Sequence, residues 1–326
     1  MVMAAMAALS GCGRYADFTL PVLHGDSRPV EVRWDVHTGP VLARGPAGAW
    51  DAVDALNPSV VKGPGGILLN FYSGYDGKTW HTGVATSADG VVWSKHGRVL
   101  SPDQAWEQDT YIAANGTGLA NDNALYYWYQ AGRVPRIGLA RSADGKNWTK
   151  HSGPVVEPGP RGSWDEKGVA DPYVIRAGGW LYLYYLGQDR AHRQRLGVAR
   201  SQDGVVWEKL RTNPVLELGD AGAFDEIGLG EPAVWEQAGW YWMLYTGRDA
   251  HEDRRLGLAR SADGVHWARV TKEAVLAGSE GWDAHVVCDP TVIVDGGRVK
   301  VWFGGGDAAS PDENLRGQIG VGTLAR

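Results

Sequence analysis

The sequence predicts an all-β fold, a five-bladed β-propeller in which a strand from the N-terminal end closes the last blade. An aromatic residue followed by an acid recurs every 56 to 60 residues, and a Ser-x-Asp-Gly-x-x-Trp motif interleaves with it. Each interval holds about four short strand-like runs separated by Gly, Asp and Pro, which is typical of propeller blades. The pairs are Trp50-Asp51, Trp106-Glu107, Trp164-Asp165, Phe224-Asp225 and Trp282-Asp283, and the motifs begin at Ser87, Ser142, Ser201 and Ser261.

The two ends of the chain complement each other. Residues 319–323 match residues 196–200, which belong to a third strand. Residues 34–42 match residues 148–156, which follow a third strand. The last repeat therefore lacks its fourth strand, and the N-terminal end supplies a spare one. We divide the chain into a lipoprotein signal at 1–12, a linker at 13–28 and a single propeller at 29–326.

The first residues resemble a bacterial lipoprotein signal. Leu9-Ser10-Gly11-Cys12 fits the processing site at which the cysteine becomes acylated, and an apolar stretch too short to cross a bilayer precedes it. This predicts a lipid anchor at Cys12 and a place in the cell envelope, as a periplasmic or surface lipoprotein. The alternative is a disordered apolar start on a cytoplasmic protein.

Composition excludes several classes of protein. The net charge is −6 and the chain has no basic run, so we expect no nucleic-acid partner. Two cysteines do not indicate a disulfide framework. Sixteen Trp and thirteen Tyr recur largely at repeat positions, where core packing explains them. In the Ser-x-Asp-Gly-x-x-Trp motif we expect a tight turn and a Trp packed between blades. We predict a monomer.

A polar residue followed by Pro marks the start of the innermost strand in four of the repeats. These pairs are Asn57-Pro58, Asp171-Pro172, Glu231-Pro232 and Asp289-Pro290. The second repeat departs, with Ala113 at that spacing and Asn115 slightly later. Because blades radiate from one axis, these side chains should converge there. Crowded carboxyls raise at least one pKa, as glycoside hydrolysis requires. The alternative is that the acids cap strands or bind a structural cation.

The layout, with Asp171-Pro172-Tyr173-Val174 and Glu231-Pro232-Ala233-Val234, resembles the arabinanase, β-xylosidase and invertase superfamily, and glycoside hydrolase family 43 is its closest form. The resemblance implies a glycosidase in which Glu231 is the general acid and Asp171 tunes its pKa and orients it. Asn57 stands where that family has an Asp general base. Asp54, Asp51 and Asp289 are the candidate replacements. No cofactor is required, although the superfamily sometimes carries an axial calcium.

Polar residues of the predicted mouth are candidates for binding an oligo- or polysaccharide. They are Asn57, Asn115, Asp109, Asp189, Asp249, His285 and Arg248. The alternative is that the aspartates form turns and the other charges are simply solvated.

Several functions follow from these candidates. The first is a glycoside hydrolase acting on a furanoside or pyranoside glycan in the axial pocket. The unusual Asn57 leaves open a carbohydrate-binding lipoprotein without catalysis, or a related phosphorylase that uses phosphate as nucleophile. A sialidase-like enzyme fits poorly, because five repeats are too few for the usual six blades. A propeller face that binds another protein is a further alternative.

Overall fold

The computed structural model describes residues 14–26, 30–107, 109–121, 124–279 and 281–325. Within them, regular structure is almost entirely β, with short 3-10 turns at Pro64–Gly66 and Ala105–Glu107. Two short strands precede the first repeat, β1 (Tyr15–Ala16) and β2 (Arg33–Val36). The all-β prediction is confirmed.

Strand pairing in the described residues forms five antiparallel four-stranded groups, which we call blades one to five. Blade one contains β3 (Asp54–Lys62), β4 (Leu68–Tyr75), β5 (Trp80–Ser87) and β6 (Ser94–Leu100). Blade two contains β7 (Ile112–Asn121), β8 (Ala124–Ala131), β9 (Arg136–Ser142) and β10 (Thr149–Lys150). Blade three contains β11 (Gly168–Ala177), β12 (Trp180–Gln188), β13 (Gln194–Ser201) and β14 (Glu208–Leu210). Blade four contains β15 (Gly228–Gln237), β16 (Trp240–Arg248), β17 (Arg254–Ser261) and β18 (Ala268–Arg269).

Blade five is assembled from both ends of the chain. Its inner strands are β19 (Val286–Asp295), β20 (Arg298–Gly306) and β21 (Gln318–Ala325), and β2 is its outer strand. β2 pairs antiparallel with β21, from Arg33 opposite Ala325 to Val36 opposite Gly322. The prediction that an N-terminal strand completes the last blade is confirmed.

The Ser-x-Asp-Gly-x-x-Trp motifs form turns that join neighbouring blades. In the first motif, Ser87 Oγ accepts the Gly90 N–H at 2.8 Å, and Gly90 has a φ of 75° that favours glycine. The Gly90 carbonyl accepts Trp93 Nε1 from its own motif and Trp302 Nε1 from blade five, at 3.2 and 2.7 Å. The third motif does the same, since the Gly204 carbonyl accepts Trp128 Nε1 from blade two. The motif is a structural connection between blades.

The acids of the aromatic-acid pairs are also structural. Asp51 Oδ2 accepts the Tyr72 hydroxyl at 3.0 Å and Lys95 Nζ at 2.6 Å. The same bonds to a second-strand Tyr and a fourth-strand cation recur in three other blades. They join Glu107 to Tyr129 and Lys150, Asp165 to Tyr185 and Lys209, and Asp225 to Tyr245 and Arg269. A buried acid bound to both partners ties the second and fourth strands of a blade together.

The segment predicted to be a linker is instead packed against the propeller. β1 pairs parallel with β14 at the outer edge of blade three, and the Leu20 and Leu23 amides donate to carbonyls of blade four. Leu20 is 1% exposed in the hydrophobic cluster between these blades, and the partly buried Phe18 packs against the same cluster. Part of the segment at 13–28 that is predicted to be a linker, within residues 14–26, thus packs against blades three and four. The predicted signal and Cys12 lie outside the described residues.

We expect Leu20→Ala to lower the free energy of unfolding by about 2–5 kcal/mol, because it removes a fully buried side chain. Val22→Ala, in the same segment, is the control; Val22 is 58% exposed, so its loss should change stability by less than about 0.5 kcal/mol. Chemical denaturation measures both. Equal stability of the two variants would show that the segment is not bound to the propeller in solution.

None of the described segments is a helix long and apolar enough to span a membrane.

Candidate active site

One residue of each inner strand is turned towards the axis by a β-bulge. In every blade the register between the first and second strands shifts at this residue, and its φ is positive. The five residues, which we call the axial ring, are Asn57 (47°), Asn115 (49°), Asp171 (48°), Glu231 (44°) and Asp289 (52°). Positive φ is uncommon outside glycine, and bulges of this kind re-aim side chains. The repeated strain points to a functional use of the ring.

The blade-two member of the ring is Asn115 and not Ala113. It comes nine residues after Trp106, whereas Asn57 comes seven residues after Trp50, because the loop before β7 is longer. Ala113 is fully buried in the blade. A constant spacing from the aromatic residue would therefore place this member two residues too early, whereas Asn115 itself is among the residues predicted to bind sugar.

A cavity of about 340 Å³ lies on one side of the axial ring. All five ring residues line it, and so do side chains from the loops and strand ends of every blade. Among these are Trp80, Tyr111, Arg133, Lys167, Gln188, Gln194, Arg248, Arg254 and Asp312. A second cavity of about 30 Å³ touches the same ring residues together with the residues that follow them, which are prolines in four blades and Gly116 in blade two. The ring thus forms the floor of a polar axial pocket of the size that small ligands occupy.

The carboxyls of the ring are close enough to perturb one another. Burial raises the pKa of Asp171 well above its usual range, and Glu231 and Asp289 raise it further. Burial and Glu231 raise the pKa of Asp289 to about 7, although the Cys288 thiol, Arg254 and the Asn57 amide oppose this. Asp289 Oδ2 accepts two hydrogen bonds, one from Cys288 Sγ at 3.0 Å and one from the Asn57 N–H at 3.2 Å. The raised pKa values of Asp171 and Asp289 favour a protonated carboxyl in the ring, which can act as a proton donor.

Two ring acceptors have no protein partner within the described part of the chain. Glu231 Oε2 and Asn115 Oδ1 are both buried atoms without a hydrogen bond. Buried polar atoms in folded proteins are nearly always paired. Because both residues line the cavity, these oxygens are suited to accept hydrogen bonds from the hydroxyls of a ligand.

Positive charge stands beside the ring carboxyls. Arg254 Nη2 donates to the Pro311 carbonyl at 2.6 Å, and Arg248 Nη1 donates to the same oxygen at 3.3 Å, so the two guanidinium groups converge. Burial alone would lower the pKa of Arg254, but Cys288, Glu231 and Asp289 raise it overall. Arg254 therefore stays charged in the pocket wall. Arg133 and Lys167 add exposed positive charge nearer the mouth.

The sequence places Arg254 among the charged residues that follow the second strands, where it is a candidate for hydrogen-bonding hydroxyls or an anionic substituent. The repeat carries a further signal for it, since the third strands of blades one to four carry a glycine at the same position, seen as Gly83, Gly138, Gly197 and Gly257. Three residues before these glycines stand Trp80, Pro135, Gln194 and Arg254, and all four line the cavity. At this position the repeat is constant but the side chain differs from blade to blade, as in the axial ring. The position therefore marks a second layer of residues around the pocket.

The structure does not bring Asp54 and Asp51 into the cavity. Asp54 is fully buried, and its two oxygens accept the amides of Asn314 and Gly317 at 2.8 and 2.7 Å. Burial raises the pKa of Asp54, against the lowering effect of those amides. Asp51 is held by Tyr72 and Lys95, like its counterparts in other blades. Neither carboxyl lines the cavity, so the structure does not bring these two predicted general bases to it.

Three of the predicted binding residues lie away from the cavity walls. Asp189 and Asp249 close the turns after the second strands of blades three and four, each accepting two backbone amides and an arginine. His285 Nδ1 lies 2.8 Å from Asp253 Oδ1. Asp109 is paired with Arg133 at 2.8 Å and so contacts a residue of the mouth without lining the cavity itself. The turn-forming alternative accounts for Asp189 and Asp249.

The other predicted residues do line the cavity. Asn57, Asn115, Asp171, Glu231, Asp289 and Arg248 are brought together there. Across residues 14–26, 30–107, 109–121, 124–279 and 281–325, no group of three or more His, Cys, Asp or Glu side chains is arranged to hold a metal ion.

Comparison with known proteins identifies related folds. A family model of glycoside hydrolase family 130, described as β-1,4-mannooligosaccharide phosphorylase, matches residues 123–216. The structure of a β-1,2-mannobiose phosphorylase from Listeria innocua, in complex with β-1,2-mannobiose, superposes with a TM-score of 0.67 at 13% identity, covering 91% of this chain and 92% of that one. The fold is that of the β-propeller glycoside phosphorylases and hydrolases. The similarity is to family 130 and not specifically to family 43.

Curated sequences give a similar result. An uncharacterized protein of Mycobacterium tuberculosis is 28% identical over 230 residues, which are 65% of this chain and 75% of that protein. A 1,2-β-oligomannan phosphorylase of a Thermoanaerobacter species is 29% identical over 125 residues, 36% of this chain and 41% of the enzyme. The chain is thus similar in fold and in part of its sequence to proteins that process β-mannosides.

Proposed function

We propose that the protein is a glycoside phosphorylase that cleaves a β-mannoside in the axial cavity and transfers the mannosyl group to phosphate. One observation carries the proposal: the carboxyls of the axial ring lie beside two converging arginines, Arg248 and Arg254, and the blade-one position of the ring is an amide, Asn57. A carboxylate base is required to activate water, but phosphate is already an anionic nucleophile. The similarities to mannoside phosphorylases support the choice of sugar and of acceptor.

The reaction requires one proton and one anion site. The bond between C1 of the mannosyl unit and the leaving oxygen breaks, a bond between C1 and a phosphate oxygen forms, and a ring carboxyl protonates the leaving oxygen. We propose Asp171 as the proton donor, because its pKa is raised well above the usual range by burial, Glu231 and Asp289. This reverses the roles of Asp171 and Glu231 that the resemblance to family 43 implies.

The remaining pocket residues fit binding roles. Arg248 and Arg254 present two guanidinium groups close to one another, which suits a phosphate oxyanion. Glu231 Oε2 and Asn115 Oδ1 are free to accept sugar hydroxyls. Trp80 and Tyr111 are aromatic residues of the cavity wall, against which the apolar face of a sugar can pack.

A hydrolase acting on the same β-mannosides is the second candidate. Asp289 favours it, because this carboxyl lines the cavity and has a pKa of about 7, which suits a general base for water. Phosphorolysis is preferred because Arg248 and Arg254 would have no role in attack by water.

The test is to incubate the protein with β-1,2- and β-1,4-linked mannobiose, each with and without inorganic phosphate. We expect mannose 1-phosphate, seen by phosphorus NMR, to form only in the presence of phosphate, and the preferred disaccharide identifies the linkage. Release of free mannose at the same rate without phosphate would replace phosphorolysis with hydrolysis. Binding of mannobiose without any cleavage would leave a carbohydrate-binding protein.

A further inference from the structure

The loop between the second and third strands of blade five departs from the repeat. In the other blades this loop has four or five residues, at 76–79, 132–135, 189–193 and 249–253. In blade five it has eleven residues, 307–317, which we call the insertion. The insertion reaches across the mouth of the axial cavity, where Pro311 and Asp312 form part of the wall.

One side of the insertion is bound by blade four. Arg254 donates to the carbonyls of Ser310 and Pro311 at 3.2 and 2.6 Å, and Arg248 donates to the Pro311 carbonyl. These are the arginines assigned above to the phosphate. The position of the insertion is therefore connected directly to the residues beside the axial ring.

The other side is bound by blades one and two. Glu313 Oε2 accepts the Tyr111 hydroxyl at 2.8 Å and Glu313 Oε1 accepts the Tyr75 hydroxyl at 3.5 Å. Leu315 is fully buried in a cluster that includes Leu56 and Trp80. The insertion thus spans from blade five to three other blades, and its contacts are too specific for a loop that merely connects two strands.

Asp54 supplies the charged contact at the base of the insertion. Its carboxyl accepts the amides of Asn314 and Gly317, one with each oxygen. Between these two amides the backbone is strained, since Asn314 and Arg316 have φ values of 66° and 56°. A carboxyl that accepts both amides holds this conformation, and an uncharged side chain with one acceptor oxygen cannot.

We propose that the insertion forms one wall of the sugar-binding cavity and that Asp54 is the positioning residue that holds this wall in place. The proposal rests on the proposed function and extends it to a specificity element. Asp54 does not touch the cavity; it acts through Pro311 and Asp312, which do. The ring carboxyls are set by bulges in the inner strands, independently of the insertion, so loss of the wall should affect sugar binding far more than the chemical step.

The test compares Asp54→Asn with the wild type by hydrogen exchange and by steady-state kinetics. The asparagine side chain keeps one acceptor oxygen for one of the two backbone amides of the insertion. Its NH₂ group faces the N–H of the other amide, so that hydrogen bond is lost. We expect amide exchange in residues 307–317 to accelerate about tenfold and KM for the mannoside to rise about tenfold, as for the loss of a hydrogen bond to a charged group. The turnover number should stay within about twofold of the wild type.

Glu313→Gln tests the same wall from the opposite side, without a change in β3, and should raise KM in the same way. Asp225→Asn is the matched control, because Asp225 is as deeply buried as Asp54 and binds Tyr245 and Arg269 far from the insertion. It should lower stability without changing exchange in the insertion or KM. If amide exchange in residues 307–317 is unchanged in Asp54→Asn, Asp54 does not position the insertion. If exchange is faster but KM for the mannoside is unchanged, the insertion does not form a wall of the sugar-binding cavity. Hydrogen exchange is independent of turnover, so a wild type that cleaves no mannoside would refute the proposed function and leave the test of Asp54 intact.

Discussion

Asp171→Asn should lower turnover of mannobiose by about 10³-fold, because it removes the proposed proton donor and leaves a side chain of the same shape. The effect should depend on the leaving group. An aryl mannoside with a strongly acidic phenol, such as 2,4-dinitrophenol, departs without protonation, so Asp171→Asn should retain most of its activity on that substrate. Initial rates on the two substrates, at saturating phosphate, measure the difference.

Glu231→Gln is the matched control, since it makes the same change from carboxyl to amide within the axial ring. We propose that Glu231 binds a sugar hydroxyl, so this variant should lose activity on both substrates to a similar extent. In the opposite pattern, the activity of Glu231→Gln depends on the leaving group and that of Asp171→Asn does not. That result would restore the roles implied by family 43, with Glu231 as the general acid. Equal losses of both variants on both substrates would remove the proton-donor assignment from each of them.

The sequence was sufficient to predict the blades and most of the axial ring, and the reason is physical. Propeller blades bury equivalent side chains at equivalent positions, so the repeat of aromatic residues, acids and Asp-Gly turns locates each strand. Where the repeat is kept and the side chain changes, as at Asp171 and Glu231, the position faces the common axis. The same comparison at the third strands points to Arg254.

Other features depend on contacts that a repeat does not encode. Asp54 lies three residues before Asn57 and could have faced the cavity if the chain had turned inward there. It faces the insertion instead, because the amides of Asn314 and Gly317, some 260 positions later, complete its carboxyl. The docking of Leu20 between blades three and four is likewise a long-range contact of a segment that belongs to no repeat. Sequence spacing carries no information on either pairing.

Arg254 is the position where a second large effect is expected. Arg254→Met should weaken phosphate binding by about 10- to 100-fold, since it removes charged hydrogen bonds from the proposed anion site. It should also change the pH dependence. Arg254 lowers the pKa of both Asp171 and Asp289, so its removal raises them further. Because the proton donor must be protonated, activity is lost as pH rises through its pKa, and the alkaline limb of the profile should move to higher pH.

Two variants separate charge from shape at this site. Arg254→Lys keeps the positive charge, so the alkaline limb should stay close to that of the wild type, but a lysine cannot replace the planar guanidinium and KM for phosphate should still rise. Arg255→Met removes the neighbouring arginine, which pairs with Asp249 and Asp253 and does not line the cavity, and should change neither quantity. Profiles of turnover number against pH, at saturating phosphate, give the position of the alkaline limb for each variant. If Arg254→Met shifts the limb and leaves KM for phosphate unchanged, Arg254 tunes the ring carboxyls while the anion binds elsewhere, with Arg248, Arg133 and Lys167 as the remaining cations that line the pocket.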